Sequence, residues 1–344
     1  MAFSNLRDGD AVVSVHGFIF YIFGYNHPEE AYEAFLKYVP SNHSDKFHIS
    51  WLDTKWSYKG ISLVRPRELF SPESHANLIM AFRQYFPDYI IFSNELNRWM
   101  IRVPRVLMRE AFIPSRQLML LKQTRTENTL ERNALDLIEI LSKYSRVPIG
   151  FFGVHGSISL GMHQKFSDID ITVYGASNYH MVKRALIELE GEGSLSISRE
   201  NGHDSRRMNR GLFRNIDFVI NATRRFGEID RRKLSVKSLG EAEVECKCTN
   251  AEESVFRPAI YDVSDCSCIE GNTLNHGKIS RVVSMIGLFR DLVRPGEKLR
   301  AKGKIELVNS NGSERYFRLV VGTGAMGEYL SRQDQACSST TSPA

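Results

Sequence analysis

The sequence predicts an α/β protein of the α+β type that is built from three consecutive segments. In residues 1–115 strand patterns alternate with helix patterns, and residues 116–233 follow the order helix, strand, helix, strand. Residues 234–330 contain short alternating apolar stretches that are typical of strands. We therefore expect an N-terminal α/β module, a central α/β domain and a C-terminal small β-barrel or sandwich.

The composition is that of an ordinary globular protein, in which 42% of the 344 residues are hydrophobic and 25% are charged. A chain of this length is expected to form two or three domains. Its first residues run into the charged side chains of Arg7 and Asp8, unlike a secretory signal. The most apolar run, residues 11–25, is interrupted by His16 and is too short to cross a bilayer. We expect a soluble, cytoplasmic protein without a membrane partner.

The N-terminal segment opens with a β-branched and aromatic stretch, residues 12–25, which predicts a strand or a hairpin around Gly17. A helix is expected to follow over residues 28–39. Pro28 suits its first turn, and Pro40 would end it.

Two further features complete the N-terminal segment. Ser71 and Pro72 predict the N-cap and the first position of a second helix, which Pro87 would end. Residues 89–92 and 99–103 have the composition of strands on either side of a polar turn. The segment contains no catalytic constellation, and we interpret it as a packing or recognition module.

Two predicted helices frame the central segment. Residues 126–145 carry apolar side chains at helical spacing, with Asn128 in a capping pair at the start. A second helix is expected over residues 179–190, and Ser177 or Asn178 would cap it.

Between these helices lies the most informative stretch, residues 153–175, GVHGSISLGMHQKFSDIDITVYG. Backbone N–H groups at the turn formed by Gly156 and Ser157 can hold phosphate, and the serine hydroxyl adds a hydrogen bond. After a ten-residue connection, Asp168 and Asp170 open an apolar strand and point to one face of it. Neighbouring carboxylates repel each other unless a cation lies between them, and their hard oxygen atoms suit Mg²⁺ or Mn²⁺.

This pattern resembles the DNA-polymerase-β-type nucleotidyltransferase superfamily, which combines a Gly-Ser pair, a connection of similar length, Asp-x-Asp and a third acid on a later strand. The longer chain also resembles uncharacterised archaeal predicted nucleotidyltransferases. The resemblance implies that residues 116–233 form a polymerase-β-like catalytic palm. It also implies that Asp217, on a predicted strand over residues 216–220, is the third carboxylate. Glu200 and Asp204, in a polar stretch, are its rivals.

The function implied by the resemblance is transfer of a nucleoside monophosphate from an NTP, such as ATP, to a hydroxyl acceptor with release of pyrophosphate. Asp168, Asp170 and Asp217 would bind the Mg²⁺ or Mn²⁺ ions, while Gly156 and Ser157 would hold the nucleotide phosphates. The acceptor stays open between an RNA end, a protein and a small molecule. The alternatives are a non-catalytic nucleic-acid-binding protein on the same scaffold and an antitoxin-like transferase that modifies a partner protein.

The basic charge is concentrated after this motif. Residues 199–233 contain ten Lys and Arg against five Asp and Glu, and the whole chain has a net charge of +5. Six arginines of this stretch are of interest, namely Arg206, Arg207, Arg210, Arg214, Arg224 and Arg225. Two interpretations stay open for these arginines. In the first they bind a triphosphate or an RNA backbone, and in the second they belong to a solvated loop with ion pairs.

The C-terminal segment is predicted to contain five short strands. They are expected around residues 242–248, 260–263, 282–289, 303–308 and 316–321. Asn311 and Gly312 predict a tight hairpin turn between the last two. Residues 331–344 are polar and are expected to be disordered.

Four cysteines of this segment form two Cys-x-Cys pairs, Cys246 with Cys248 and Cys266 with Cys268. Three states stay open for them, namely a Zn²⁺ site, disulfides between the two strands, and buried thiols. Structural zinc normally uses a wider spacing within each pair. His155 and His163 flank the Gly-Ser turn, and we interpret them as loop histidines with backbone partners.

Overall fold

The structure is a computed structural model that describes residues 5–69, 71–124, 126–230, 232, 234–271, 276–310 and 315–333. The chain divides into two compact units, Met1–Arg232 with Val255–Pro258 and Lys233–Ser254 with Ala259–Ala344. The first unit contains two sheets with their helices, and the second contains a third sheet. Within the described ranges, no helix combines the length and apolar character needed to cross a membrane.

The first sheet of unit 1 has eight strands and one long helix. The strands are β1 Ala11–Ser14, β2 Ile19–Ile22, β3 Ala31–Pro40, β4 Trp56–Tyr58, β5 Ile61–Val64, β6 Ile90–Ser93, β7 Arg98–Pro104 and β8 Met108–Phe112, and the helix is α1 Pro72–Tyr85. The main strand order is β4-β5-β3-β2-β1-β8, with β7 paired to both β3 and β6. The predicted hairpin around Gly17 is confirmed by the antiparallel pairing of β1 with β2.

The first sheet is buried on both faces. Alternate side chains of β2 enter two different cores: Phe20 and Ile22 pack with α1, whereas Ile19 and Tyr21 face the other side. That second core also contains Leu160 and Met162 from the central segment, so the sheet packs directly against the stretch that follows the Gly-Ser turn. Burial on both faces explains why this region is almost continuously apolar.

The helix predicted over residues 28–39 is wrong, because β3 covers Ala31–Pro40. This strand pairs antiparallel with β2 and β7, placing Tyr32 opposite Val103 and Phe35 opposite Tyr21. Proline and acidic residues before Ala31 imitate the start of a helix, but the residues that follow can bury apolar side chains on two faces only as a strand. Tertiary pairing therefore overrides the local signal.

The predicted second helix and the two predicted strands of the N-terminal segment are confirmed. Helix α1 begins at Pro72, and the Ser71 hydroxyl accepts a hydrogen bond from the backbone N–H of Ser74 at 3.3 Å. The two predicted strands form the antiparallel β6–β7 hairpin, with Ile90 opposite Ile101.

The second sheet of unit 1 contains five strands and is surrounded by five helices. The strands are β9 Phe152–Val154, β10 Ile169–Tyr174, β11 Ser196–Ile197, β12 Arg210–Phe213 and β13 Ile216–Thr223. The helices are α2 Pro114–Gln123, α3 Thr129–Ser145, α4 Gly156–Ser159, α5 Ala176–Gly191 and α6 Gly202–Arg207. The strand order is β11-β12-β13-β10-β9, in which β10 and β13 run parallel and the other neighbours antiparallel.

The two predicted helices of this segment are present. The Asn128 side chain caps α3 by accepting hydrogen bonds from the N–H groups of Leu130 and Glu131 at 2.9 and 3.2 Å. Helix α5 begins earlier than expected, with Gly175 at its N-cap, so the predicted cap at Ser177 or Asn178 is wrong. Gly175 has a φ of +102°, which favours glycine over a polar capping residue.

Unit 2 is a six-stranded sheet. Its strands are β14 Leu234–Asn250, β15 Ala259–Gly271, β16 Ile279–Ser284, β17 Lys298–Ser310, β18 Arg315–Val321 and β19 Tyr329–Gln333. The order is β14-β15-β16-β18-β17-β19, and β17 also pairs with β14. The predicted strands are thus confirmed, except that β16 ends at Ser284, five residues before the predicted end. The predicted turn at residues 311–312 and residues 334–344 of the predicted tail lie outside the described residues. The disorder predicted for residues 331–333 is wrong, because they belong to β19 and pair with β17.

Candidate functional site

The candidate site is formed where β9, α4 and β10 meet. Strands β9 and β10 are antiparallel, and the backbone N–H of His155 donates a hydrogen bond to the Asp170 carbonyl at 2.8 Å. The chain then turns at Gly156, whose φ of +63° lies in the left-handed region that favours glycine. Ser157 follows and is buried. The pairing of β9 with β10 therefore brings the Gly-Ser turn back to the aspartates.

Gly156 has a second reason to lack a side chain. A Cβ atom at this position would lie 2.8 Å from Cγ of Asp170 and still closer to its Oδ2 atom. The space beside the Gly156 backbone is thus filled by the carboxyl group of Asp170. In the sequence, the Gly-Ser turn and the Asp-x-Asp pair are separated by a connection. In the fold, Gly156 and Asp170 are in direct contact.

The two aspartates of the motif differ in exposure. Asp168, just before β10, is exposed, whereas Asp170 is partly buried. Burial and, next, the neighbouring charge of Asp168 raise the pKa of Asp170 to about 6, against the opposing charges of Lys37, Arg65 and Arg210. Two neighbouring carboxylates repel each other, and a divalent cation bound between them removes this repulsion. Carboxylate oxygens are hard ligands of the kind that bind such cations.

Asp217 lies on the strand next to the Asp-x-Asp strand. The β10–β13 register sets Asp170 beside Val219, and Asp217 precedes Val219 by two residues, so it lies on the same face of the sheet. It is exposed. Across the described ranges no three His, Cys, Asp or Glu side chains are close enough to form a ready metal site. The role of Asp217 as a third ligand therefore stays a prediction.

The two rivals of Asp217 have different surroundings. Glu200 is exposed, whereas Asp204 is buried in α6. The backbone N–H of Asp204 donates to the Asn201 side chain, and its carboxylate lies 3.6 Å from Nε of Arg210. Arg210 is opposite Val219 in the sheet and contributes to the potential at Asp170.

Three side chains of the first sheet, which the sequence did not indicate, lie near the aspartates. Lys37 Nζ is 4.4 Å from the centre of the Tyr21 ring, which in turn lies 4.8 Å from the His155 ring. Burial lowers the pKa of Lys37 to about 8, while the charge of Asp170 opposes this shift. Arg65 acts on both Asp170 and Lys37. A lysine within a mostly apolar strand is the signal that the helical interpretation of residues 28–39 concealed.

The six arginines after the motif do not form one surface. Arg207 and Arg224 are buried, and the Arg224 guanidinium lies 4.8 Å from the Tyr25 ring and 4.5 Å from the Phe256 ring. Further ion pairs join Arg214 to Asp136 and Arg225 to Glu228. Much of this charge therefore serves packing within unit 1, and polyanion binding by the stretch stays a prediction.

The histidines beside the turn have local partners. His155 Nε2 is 2.7 Å from the carbonyl oxygen of Gly9, in agreement with the predicted backbone partner. His163 Nε2 is instead 3.8 Å from a carboxylate oxygen of Glu131, so its predicted backbone partner is not what the structure shows.

One of the alternatives for the cysteines of unit 2, a disulfide between the two strands, is present once. Cys246 and Cys266 are joined by a disulfide, while Cys248 is a buried thiol whose pKa burial raises to about 11. Cys268 lies opposite Val244 in the β14–β15 ladder. Zinc binding by the four cysteines of a reduced chain stays a prediction.

Comparisons with known proteins give a match that extends over nearly the whole chain. Among curated proteins, the chain is similar to MJ1086 of Methanocaldococcus jannaschii, which is described as an uncharacterized protein. The two are 26% identical over 352 residues, which cover 95% of this chain and 98% of the relative. No family model matches the chain, and no solved structure matches it significantly. The similarity spans both units and carries no activity with it.

Proposed function

We propose that the protein is a metal-dependent nucleotidyltransferase that transfers a nucleoside monophosphate from an NTP to a hydroxyl acceptor and releases pyrophosphate. One observation carries the proposal: the carboxyl group of Asp170 fills the space beside the backbone of Gly156. A phosphate-binding turn and an acid of a carboxylate pair are thereby in direct contact. This is the combination that phosphoryl chemistry on an NTP requires.

The donor set fits Mg²⁺ or Mn²⁺. Asp168 and Asp170 offer hard oxygen ligands, and the pKa of Asp170 is raised first by burial and then by the charge of Asp168. Asp217 is on the same sheet face and is the candidate for a third ligand. When bound, the metal ions would neutralise the phosphates and increase the acidity of the acceptor hydroxyl.

The remaining residues have separate tasks in this proposal. The turn at Gly156 and Ser157 positions the β- and γ-phosphates. The acceptor oxygen forms a bond to the α-phosphorus while the bond from that phosphorus to the bridging oxygen breaks, and pyrophosphate leaves. Asp217, which is exposed, takes the proton of the hydroxyl. The exposure of Asp168 provides an open side for the substrates.

The arrangement of strands supports a polymerase-β-like palm in unit 1 and a small barrel in unit 2. The parallel pair β10–β13, packed on helices α3 and α5, is the arrangement expected for a polymerase-β-like palm. In unit 2 the pairing of β17 with both β14 and β18 returns the ladder to its first strand, which supports a small closed barrel. We assign the acceptor to the class of hydroxyl compounds, which includes RNA ends, protein side chains and small molecules.

The test is incubation of the purified protein with each labelled NTP, Mg²⁺, total RNA and cell extract. We expect label to enter one class of acceptor and pyrophosphate to be released. Asp168→Asn and Asp170→Asn are expected to abolish both signals while the circular dichroism spectrum is unchanged. If the two variants label acceptors as the unchanged protein does, the proposal is wrong. If RNA is bound in a salt-sensitive way without turnover, the non-catalytic alternative is favoured instead.

A further inference from the structure

Two cations of the first sheet lie near the aspartate pair without a carboxylate partner of their own. Lys37 on β3 and Arg65, just after β5, are both partly buried. Within the described ranges neither of them forms a salt bridge. A cation removed from water normally has a counterion, because desolvation of an unpaired charge is costly. The carboxylates of Asp168 and Asp170 act on Lys37 electrostatically, but neither of them forms a salt bridge with it in the described structure.

Two polar atoms of the side chains that act on the aspartates or pack beside the turn lack hydrogen-bond partners. The hydroxyl of Tyr21 and Nε of Arg65 are buried and make no hydrogen bond. Tyr21 is only 1% exposed, so its hydroxyl can meet a ligand only when the side chains that cover it move aside. Native proteins rarely leave such groups unsatisfied, so each of them calls for an explanation.

The position of this cluster relative to the aspartates is set by packing. The centre of the Tyr21 ring is 4.4 Å from Lys37 Nζ and 4.8 Å from the centre of the His155 ring. His155 immediately precedes Gly156 and donates its backbone N–H to Asp170. Tyr21 and Lys37 thus lie close to the Gly-Ser turn, and the charge of Arg65 acts on both Lys37 and Asp170.

We propose that Lys37, Arg65 and the Tyr21 hydroxyl bind the phosphate chain of the substrate, so that the N-terminal sheet forms one wall of the nucleotide site. That the phosphate chain belongs to a nucleotide rests on the proposed function above. Ammonium, guanidinium and hydroxyl groups are all donors, and phosphate oxygens are strong acceptors. One polyphosphate would supply an anion in direct contact with both cations and acceptors for their unpaired donors.

A different explanation is that Lys37 and Arg65 serve only as counterions for Asp168 and Asp170. Their charges do act on Asp170, yet neither cation forms a salt bridge with it in the described structure. The counterion explanation also leaves the Tyr21 hydroxyl without a partner. The two explanations make opposite predictions for polyphosphate binding.

The experiment is calorimetric titration of the full-length protein with inorganic tripolyphosphate in EDTA and low salt. Without divalent metal, binding reports the cation cluster rather than the aspartates. Lys37→Gln and Arg65→Gln are each expected to weaken binding about tenfold, because a charge-assisted hydrogen bond to phosphate is lost. Tyr21→Phe is expected to weaken it severalfold, and Lys37→Arg, which keeps the charge, to retain it. The matched control is Arg67→Gln, since Arg67 is exposed two residues from Arg65.

The outcomes separate this inference from the proposed function. Unchanged tripolyphosphate affinity in folded Lys37→Gln and Arg65→Gln variants would overturn the inference, even if nucleotide transfer is observed. Loss of affinity in these variants supports it, even if no transfer is ever found. If Lys37→Gln does not fold, the Arg65→Gln and Tyr21→Phe variants decide the matter by the same measurement.

Discussion

The carboxyl group of Asp170 lies against the backbone of Gly156, with its Cγ atom 2.8 Å from the place where a Cβ atom would be. Asp170 follows Gly156 by fourteen positions in the chain, and the antiparallel pairing of β9 with β10 brings them together. The contact gives a physical reason for a glycine at this turn that is independent of its backbone angle. It also makes the Gly-Ser turn sensitive to any movement of the aspartate.

Replacement of Gly156 by alanine tests this contact. Both Gly156 and Gly161 have a φ of +63°, but a Cβ atom at Gly161 would meet nothing within 4 Å. Each alanine should cost about 1–2 kcal/mol of stability through the left-handed backbone alone. Gly156→Ala must in addition displace Asp170, so we expect it to be less stable than Gly161→Ala and to lose metal-dependent NTP binding. Chemical denaturation and calorimetry measure the two effects, and equal behaviour of the variants would contradict the contact.

The third acid is tested by comparing Asp217 with its rival in the polar stretch. We expect Asp217→Asn to reduce nucleotide transfer by at least about a hundredfold, because loss of a general base typically has this effect. Glu200→Gln should leave transfer unchanged. Both side chains are exposed, so neither substitution should alter stability by more than about 0.5 kcal/mol. A large loss of transfer in Glu200→Gln with a normal Asp217→Asn would reverse the assignment.

Asp10 predicts a pH dependence of stability. Burial raises its pKa to about 7, and the Asp8 carboxylate adds to this shift. The shift is opposed by the Arg7 backbone N–H, which donates a hydrogen bond to Asp10 at 3.0 Å, and by the charges of Arg7 and Arg116. Because the ordinary pKa is 3.8, the folded protein retains a proton between about pH 4 and 7 that the unfolded chain has released. The stabilisation from this proton is complete below about pH 4 and is lost as the pH rises through 7.

The corresponding variant is Asp10→Asn, whose side-chain oxygen can still accept the Arg7 hydrogen bond. We expect urea unfolding to show a smaller fall in stability between pH 5 and pH 8 for this variant than for the unchanged protein. Part of the fall should remain, because burial also raises the pKa of Glu33 to about 7. The control is Asp53→Asn at a side chain that is 98% exposed. A pH profile that Asp10→Asn leaves unaltered would show that Asp10 is ionised in the folded protein.

The disulfide between Cys246 and Cys266 predicts a redox-dependent stability of unit 2. It closes a loop with a sequence separation of 20, for which chain entropy gives about 3 kcal/mol. We expect reduction, or a Cys246→Ser/Cys266→Ser double variant, to lower the free energy of unfolding by about this amount. Cys268→Ser should keep the disulfide, which peptide mass spectrometry can verify. Stoichiometric zinc in protein purified under reducing conditions would instead support a thiolate site.

Periodicity and capping residues were sufficient to predict much of the local structure. The hairpin around Gly17, the helix begun by Ser71 and Pro72 and the cap at Asn128 are decided by neighbouring residues, and each is present. Residues 31–40 show the limit of this approach. Their local signal favours a helix, but strand pairing on both sides and burial on two faces outweigh it.

For the candidate site, the sequence by itself determined the chemical types and their order: a Gly-Ser turn, an Asp-x-Asp pair and a later Asp217. Only the tertiary structure decided which groups meet. The contact between Gly156 and Asp170 depends on strand pairing. The contact between Tyr21 and His155 depends on the packing of one sheet against another. Lys37 and Arg65 have no sequence relation to the motif. Electrostatic and packing interactions between distant segments are properties of the folded chain, and spacing along the sequence does not encode them.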